Sequence, residues 1–345
     1  MPVFEADRRL ERVMKWVRAN ARSLPSEARL FEALRTGAGL MIVAGILICL
    51  APKSVWSCAC GCGIFEVATP SLLPTGVGAR VWTEWDYMDQ NINWHATTPA
   101  SAGQNNDKKL ETNFVTLGLQ YMFNRSWGAM LEVPYWERNY KGAYSGNNQD
   151  VMEFDTNSLG DIRLLGMWTG WSEDMSTGLL FGFKLPTGDW HYPPYDRDTQ
   201  IGTGSTDLLL GAYRMGYLPI TVMDRPFGWF VQGIYDLPFA YQDHYKPGRE
   251  FDGSVGTYYN FGVVGPLGEL APMLSFLGAD RTRDRGTNAS PSDTGYDKVA
   301  IAPGVETKFE NVDIYADVEL PIFQNINGYQ LTAPFATKLI MSYSF

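Results

Sequence analysis

The sequence has few of the residues from which catalytic and metal sites are commonly built. Among its 345 residues there are only 4 Cys and 3 His. His95, His191 and His244 stand far apart in polar segments, and none belongs to a spaced Ser, His and acid pattern or to a CxxCH haem motif. Isolated loop histidines are usually solvated side chains. The sequence therefore predicts a protein that is not an enzyme.

Long apolar runs are also scarce. The only uncharged apolar stretch covers residues 37–51, flanked by Arg35 and Lys53. A helix needs about 20 apolar residues to span a bilayer, so this stretch is too short and has the length of a secretory signal core. We therefore predict a leader and signal peptide over residues 1–59. A second such run is missing, so no other part of the sequence is expected to cross a membrane as a helix.

The segment ahead of this signal core is unusually long and basic. Two explanations stay open: a start codon set too early, with Met14 as one true start, or a long natural leader. Both leave about 285 residues for the mature chain, without a Pro- or Ser-rich linker to divide them. This length fits one large domain.

The charge balance argues against a nucleic-acid partner. The formal net charge is −10, whereas binding to phosphates needs clustered Lys and Arg. Aromatic residues are abundant, with 11 Trp, 18 Tyr and 18 Phe, yet the mean hydropathy is only −0.18. A membrane β-barrel combines these properties, because only alternate residues face lipid and aromatic girdles mark both interfaces.

The last residues carry the clearest strand signal. Lys338, Ser342 and Ser344 alternate with apolar positions, which are Phe335, Leu339, Met341, Tyr343 and Phe345. Because successive side chains of a strand point to opposite faces, this strand is apolar on one face and polar on the other. An aromatic last residue after alternating hydrophobics resembles the C-terminal assembly signal of bacterial outer-membrane proteins. That resemblance implies a Gram-negative type of outer membrane, outer-membrane lipid and the barrel assembly machinery as partners.

About twelve segments with this alternation follow one another in the mature chain. Three strong ones lie at residues 81–87, 115–123 and 127–135, and weaker ones at 162–168, 179–185, 208–212, 229–235, 255–263, 272–278, 299–309 and 312–320, before the terminal one. Short connections are expected near residues 124–125, 172–175, 217–227, 266–270 and 310–311. Long polar ones are expected at residues 90–109, 139–158, 187–205, 237–253, 280–297 and 323–330.

This pattern predicts an all-β fold, a transmembrane antiparallel up-and-down β-barrel of about 12 strands over residues 78–345. A periplasmic N-terminal segment, residues 60–77, precedes it. An even strand number places both termini in the periplasm, and the long loops are then extracellular. The predicted location is the cell outer membrane.

If the apolar faces contact lipid, the charged side chains on the opposite faces point into the lumen. The predicted pore-lining residues are Arg80, Glu84, Asp86, Glu132, Arg138, Asp161, Arg163, Lys184, Asp207, Glu306, Lys308, Asp317, Glu319 and Lys338. Buried charges need partners or water, so the lumen is expected to be hydrated or salt-bridged. Either an open path or a plugged interior fits this set, and residues 64–75 are one candidate plug. Twelve strands enclose less room than a general porin, which favours a selective porin-like route for transport.

Two motifs carry a family resemblance. Residues 185–189 read LPTGD, and residues 201–205 read IGTGS and are followed by Asp207. This pair resembles the MetA-pathway phenol-degradation transporter family. The resemblance implies an outer-membrane barrel that serves as a channel or facilitator for passive passage of a small, aromatic solute. In physical terms, Pro186 ends strand pairing, and Gly188 and Gly202 allow tight turns at the base of a loop.

The N-terminal segment adds a feature that a plain porin lacks. Cys58, Cys60 and Cys62 occupy every second position in SCACGCG. They can bind a soft metal ion as the one expected cofactor, Cys58 can be lipid-modified, or Cys60 and Cys62 can form disulfides or have no specific role. The alternative function is therefore a structural or interaction barrel with a metal- or redox-binding Cys segment at its periplasmic N-terminus.

Overall fold

The structure is a computed structural model that describes residues 69–143, 151–192 and 196–345. Its strands, in chain order, are β1 (Gly78–Gln90), β2 (Ile92–Ala96), β3 (Thr98–Pro99), β4 (Asp107–Met122), β5 (Trp127–Ala143), β6 (Val151–Leu159), β7 (Ile162–Trp168), β8 (Thr177–Leu185), β9 (Ser205–Val222), β10 (Arg225–Tyr241), β11 (Glu250–Tyr259), β12 (Glu269–Arg281), β13 (Tyr296–Phe309), β14 (Val312–Thr332) and β15 (Ala336–Ser344). Short 3₁₀ turns lie at Pro70–Leu72, Ala102–Gln104 and Gly265–Leu267. The predicted signal peptide and Cys58, Cys60 and Cys62 lie outside the described residues.

The strands close into an antiparallel barrel, which confirms the predicted fold class. The wall is formed by twelve strands, which are β1, β4, β5 and β7 to β15. Each pairs with its sequence neighbours in the wall, and β15 pairs with β1 to close the ring, with Val81 opposite Tyr343. Closure has a local requirement at Gly78, where φ is +128° and a Cβ atom would lie 2.7 Å from the carbonyl oxygen of Phe345. Glycine is the residue that accepts this conformation and this close approach.

The outer face of the wall is apolar, as expected for contact with lipid. Large hydrophobic side chains point outward along neighbouring strands, including Leu117 at 59% exposure and Met341 at 58%. The apolar face of the terminal strand is among them, since Phe335, Leu339, Tyr343 and Phe345 are all exposed. A continuous apolar surface around a closed sheet matches the hydrocarbon-facing band of a membrane barrel. Among the described residues, no helix is long and apolar enough to cross a membrane.

The two ends of the barrel differ. One end, here called the turn end, carries the connections 123–126, 169–176, 223–224, 260–268 and 310–311, together with the start of β1 and the end of β15. The other, here called the loop end, carries the connections 91–106, 186–204, 242–249, 282–295 and 333–335, and the excursion that contains β6. Connection 260–268 is slightly longer than connection 242–249, so short and long connections do not alternate strictly between the two ends.

Three of the predicted long loops contain strands, the first being residues 90–109 with β2 and β3, and the predicted short connection 217–227 is reduced to residues 223–224 between β9 and β10. Residues 323–330 belong to β14, which continues past the wall and pairs with β2. Residues 151–158 form most of β6, which pairs with the part of β5 nearest the loop end. The side chains of β6 are exposed or half-buried on both faces. Without one buried face, such a strand shows no apolar alternation, so its sequence looks like a loop.

The wall changes partner at one point. Strand β5 pairs with β7 up to Glu132, opposite Arg163, and with β6 from Tyr135, opposite Leu159. Gly160 and Asp161 lie at this break, between β6 and β7. The amide of Gly160 donates to the carbonyl of Pro134 at 2.9 Å. This hydrogen bond holds the segment between β6 and β7 against β5. The Asp161 side chain is thereby directed to the inside of the wall.

Candidate functional site

The candidate site is the interior of the barrel, and it has two layers. The layer towards the turn end is largely apolar, although the charged side chains of Arg80, Glu306 and Asp313 also lie near that end. Its buried side chains form one hydrophobic cluster that includes Leu72, Trp82, Met122, Met130, Leu165, Met167, Leu180, Leu209, Phe230, Ile234, Met273 and Ile340. The expectation of a lumen lined by charged groups alone is therefore incomplete. The sequence could have predicted these apolar inner side chains, because several of the methionines occupy inward positions of the alternating segments.

The chain that precedes β1 enters this apolar layer. Leu72 and Leu73 are 2% and 1% exposed, although they lie in a short connection and not in the wall. The Gln120 amide donates to the Leu72 carbonyl at 3.3 Å. The Arg80 guanidinium donates to the carbonyls of Ser71 and Leu73. The described part of the candidate plug, residues 69–75, is thus held inside the barrel by both apolar contact and hydrogen bonds.

The second layer is charged, and it contains two lysines that each pair with two carboxylates. Lys184 Nζ lies 2.7 Å from Asp207 and 2.5 Å from Asp236. On the opposite part of the wall, Lys338 Nζ lies 2.7 Å from Glu84 and 3.3 Å from Asp86. These groups are nearly shielded from solvent, which makes each pairing strong and the loss of either partner costly.

Arginines hold the remaining interior contacts. Arg163 pairs with Glu132 at 3.5 Å across β5 and β7. Arg138 is 2% exposed and donates to the carbonyls of Thr199 and Gln200 at 2.5 and 2.8 Å. The connection 186–204 therefore folds into the barrel from the loop end.

The structure places all of the sequence-predicted pore-lining residues on the inner side of the wall or at its break. Asp86, Arg138, Asp207, Glu319 and Lys338 are the most deeply buried of the set. Lys308 is the least buried, with its side chain 48% exposed beside Asp313 at 3.4 Å. Sequence reasoning missed the buried carboxylates of Asp236, Asp252 and Asp313. Asp236 was missed because it immediately precedes a segment that was predicted as a loop.

The two family-like motifs meet at the break in the wall, in an arrangement here called the Asp161 clasp. The Asp161 carboxylate accepts hydrogen bonds from the Gly188 amide at 3.0 Å, the Thr203 amide at 2.8 Å and the Thr203 hydroxyl at 2.5 Å. Gly188 and Gly202 are in backbone contact, and a Cβ on Gly202 would lie 2.4 Å from the Gly188 carbonyl. The motif residues thus tie the connection 186–204 to the wall.

Further contacts join the loops at the loop end. The Arg197 guanidinium lies between the rings of Trp190 and Tyr245, 4.6 and 4.5 Å from their centroids. Asp284 accepts from the Tyr245 hydroxyl at 2.6 Å and pairs with Arg281 at 3.0 Å. The three connections 186–204, 242–249 and 282–295 therefore form one packed cap.

One carboxyl group in this cap is unusual. Asp198 is buried, and in the part of the chain that the structure describes its Oδ2 atom has no hydrogen-bond partner. Burial, followed by the negative charge of Asp284, raises the pKa of Asp198 to about 7. Titration of this group near neutral pH therefore changes the charge inside the cap.

The histidines show no arrangement that suggests catalysis. His95 lies in β2 and stacks on Tyr329, with 4.6 Å between ring centroids, while His191 and His244 lie in separate connections of the loop end. Within residues 69–143, 151–192 and 196–345, no group of three or more His, Cys, Asp or Glu side chains is placed to hold a metal ion.

Comparison with known proteins places the fold. The chain resembles the COG4313 outer membrane channel from Pseudomonas putida F1, with a TM-score of 0.58 and 13% identity over 81% of this chain and 100% of that one. Two further solved structures are less similar. The β domain of the Bordetella autotransporter BrkA has a TM-score of 0.46 and 14% identity over 78% of this chain and 100% of that one. The CymD monoaromatic hydrocarbon channel has a TM-score of 0.40 and 8% identity over 83% of this chain and 94% of that one.

The similarity to the Pseudomonas putida protein shows the class of fold: the chain has the closed β-barrel fold of that outer membrane channel. The barrel that the sequence motifs implied is thereby confirmed. No family model matches the sequence, and no curated protein matches it.

Proposed function

We propose that this protein is an outer-membrane channel for passive passage of a small solute. The observation that best supports this function is a closed wall of twelve strands with an apolar outer face. Its interior holds a charged layer and an apolar layer instead of a uniform core. Buried charged groups cost desolvation energy unless partners or water reach them, so a partly hydrated interior is consistent with this arrangement.

The apolar layer supports an uncharged or aromatic solute. Methionine side chains are flexible and polarisable, and they make favourable contacts with aromatic rings. Met122, Met130, Met167 and Met273 all face the interior in this layer. The resemblance of the two motifs to the phenol-degradation transporter family points to the same class of solute.

The chain before β1 regulates the width of this route in our proposal. Leu72 and Leu73 occupy space in the apolar layer that a solute of similar polarity can fill once the segment withdraws. In the outer membrane, both termini lie in the periplasm, the loop end faces outward, and β15, ending at Phe345, is the strand presented to the barrel assembly machinery.

The test is a conductance measurement on purified protein in planar bilayers. We expect stepwise currents from the wild type and larger steps from the double variant Leu72→Asp/Leu73→Asp, because a carboxylate in an apolar layer costs several kcal/mol and drives the segment out. The control is Leu267→Asp, at a leucine that is 51% exposed at the turn end. Currents at the background level from both the wild type and the double variant would remove the proposal.

The Cys58, Cys60 and Cys62 segment supports the alternative, an interaction barrel that binds a soft metal. That alternative stays a hypothesis, and thiol titration with metal analysis of the mature protein tests it. Bound metal that is lost when Cys60 and Cys62 are both replaced by Ser is the expected result.

A further inference from the structure

Acidic side chains outnumber basic ones on the inner face of the wall. The inward acids are Glu84, Asp86, Glu132, Asp161, Asp207, Asp236, Glu250, Asp252, Glu306, Asp313, Asp317 and Glu319, and the inward bases are Arg80, Arg138, Arg163, Lys184, Arg281, Lys298, Lys308 and Lys338. The excess is uneven. It is greatest around Lys338, which faces acids from the two neighbouring strands β1 and β14.

Around Lys338, acidic side chains outnumber basic ones. Its ammonium is paired with Glu84 on one side and Asp86 on the other, both from β1. From β14, the carboxylates of Asp317 and Glu319 also act electrostatically on Lys338. One cation is thus shared among four carboxyl groups, so it cannot neutralise them all.

One of these carboxyl groups has an oxygen atom without a protein partner. Asp317 is only 8% exposed, and its Oδ2 atom accepts from the Tyr315 hydroxyl at 2.6 Å. Its Oδ1 atom has no hydrogen-bond partner among the described residues. A buried carboxylate oxygen without a hydrogen-bond partner lowers the stability of the folded protein unless water or a cation reaches it.

Asp317 lines a cavity that offers room for such a species. The cavity measures about 20 Å³ and is also bordered by Thr69, Ser275, Glu319 and Lys338. This is enough for one water-sized occupant. Carboxylate and hydroxyl oxygens are the ligands that hard cations prefer. The cavity lies beside the chain before β1, and hence on the route that this chain restricts.

We infer that the route through the barrel selects cations and neutral solutes against anions, and that Asp317 and Glu319 are the residues that determine this selectivity. The inference rests on the proposed channel function and adds the charge class of what passes. An interior lined by one sign of charge, with low-dielectric walls, concentrates ions of the opposite sign and repels those of the same sign.

The experiment measures the reversal potential in planar bilayers under a KCl gradient, with the wild type and with Leu72→Asp/Leu73→Asp as the more open form. We expect a reversal potential on the K⁺ side of zero, which indicates that K⁺ passes more readily than Cl⁻. Single variants Asp317→Asn and Glu319→Gln keep the side-chain shape and should lower the ratio of K⁺ to Cl⁻ permeability by roughly fivefold each. One unit charge at about 8 Å in an effective dielectric of about 80 attracts K⁺ and repels Cl⁻ equally, and the two effects multiply in the ratio.

The matched control is Asp224→Asn, at an exposed carboxylate of the two-residue turn between β9 and β10. It removes the same charge at the turn end and should leave the permeability ratio unchanged. Heat-dependent mobility on gels verifies that each variant is a closed barrel.

The outcomes separate the two proposals. Clear conductance steps with a reversal potential at zero or on the Cl⁻ side would overturn the inference and leave the channel function standing. The same holds if Asp224→Asn changes the ratio as much as Asp317→Asn and Glu319→Gln do. Background currents from both the wild type and the open form would overturn the channel function, and the selectivity with it.

Discussion

Replacement of Asp161 by Ala is expected to release the connection 186–204 from the wall. The substitution removes one acceptor from three donors, which are the amides of Gly188 and Thr203 and the hydroxyl of Thr203. Hydrogen bonds to a charged acceptor contribute about 1.5–3 kcal/mol each, and a donor left unsatisfied in a buried site costs about 1–3 kcal/mol. Since water partly compensates in the opened clasp, we expect a local loss of about 3 kcal/mol.

A loss of about 3 kcal/mol corresponds to an increase of roughly 100-fold in the open population of this connection. Hydrogen exchange followed by mass spectrometry on peptides from residues 186–204 measures this directly. The closed wall should be unaffected, because the pairing of β8 with β9 begins below the clasp, at Lys184 opposite Asp207. Peptides from β4 and β5 therefore serve as the internal reference.

The matched control is Glu137→Ala, at an exposed acid on the adjacent strand β5. Asp161→Asn is expected to give an intermediate result, because its amide oxygen still accepts while its NH₂ group faces donors. Exchange in residues 186–204 that stays within threefold of the wild type in Asp161→Ala would show that glycine packing alone closes the loop, and would refute this reasoning.

Three further outcomes are expected. The folded-state pKa of Asp198 lies above its ordinary value of 3.8, at about 7, so the folded cap binds the proton more tightly and its stability falls as pH rises between these values. Proteolysis of the cap should therefore be slower at pH 5 than at pH 8, and Asp198→Asn should abolish the difference. Lys184→Met should lower barrel stability by about 3–5 kcal/mol in urea unfolding, because Asp207 and Asp236 lose their cation, and an unchanged midpoint would contradict the pairing. Gly78→Ala should slow folding into lipid vesicles relative to Gly76→Ala, where a Cβ meets open space, and equal rates would show that closure tolerates the side chain.

The strand pattern was predictable because lipid on one side of a wall imposes a two-residue period. The terminal strand shows this most directly, since the exposed positions of β15 are those that its alternation marks as apolar. The same logic failed for β6 and for the upper part of β14, which extend beyond the barrel wall. Outside the bilayer no medium selects one face, so the period is lost.

The inward direction of the charged residues also followed from the sequence, whereas their partners did not. Lys338 and Asp86 are far apart in the chain and meet because β15 pairs with β1 in one register. The pairing of Lys184 with Asp236 likewise depends on β9 lying between β8 and β10. A local pattern predicts the face on which a side chain lies. It does not predict which side chain on a distant strand becomes its partner.

The class of fold, the up-and-down strand order and the direction of most charged side chains could be predicted from the sequence, because they depend on near neighbours and on the surrounding solvent. The folded structure was needed to show that Leu72 and Leu73 enter the barrel, that the two glycine motifs close around Asp161, and that Asp317 lines a cavity. These features arise from contacts between segments distant in sequence, and the closed geometry of the barrel is what brings such segments together.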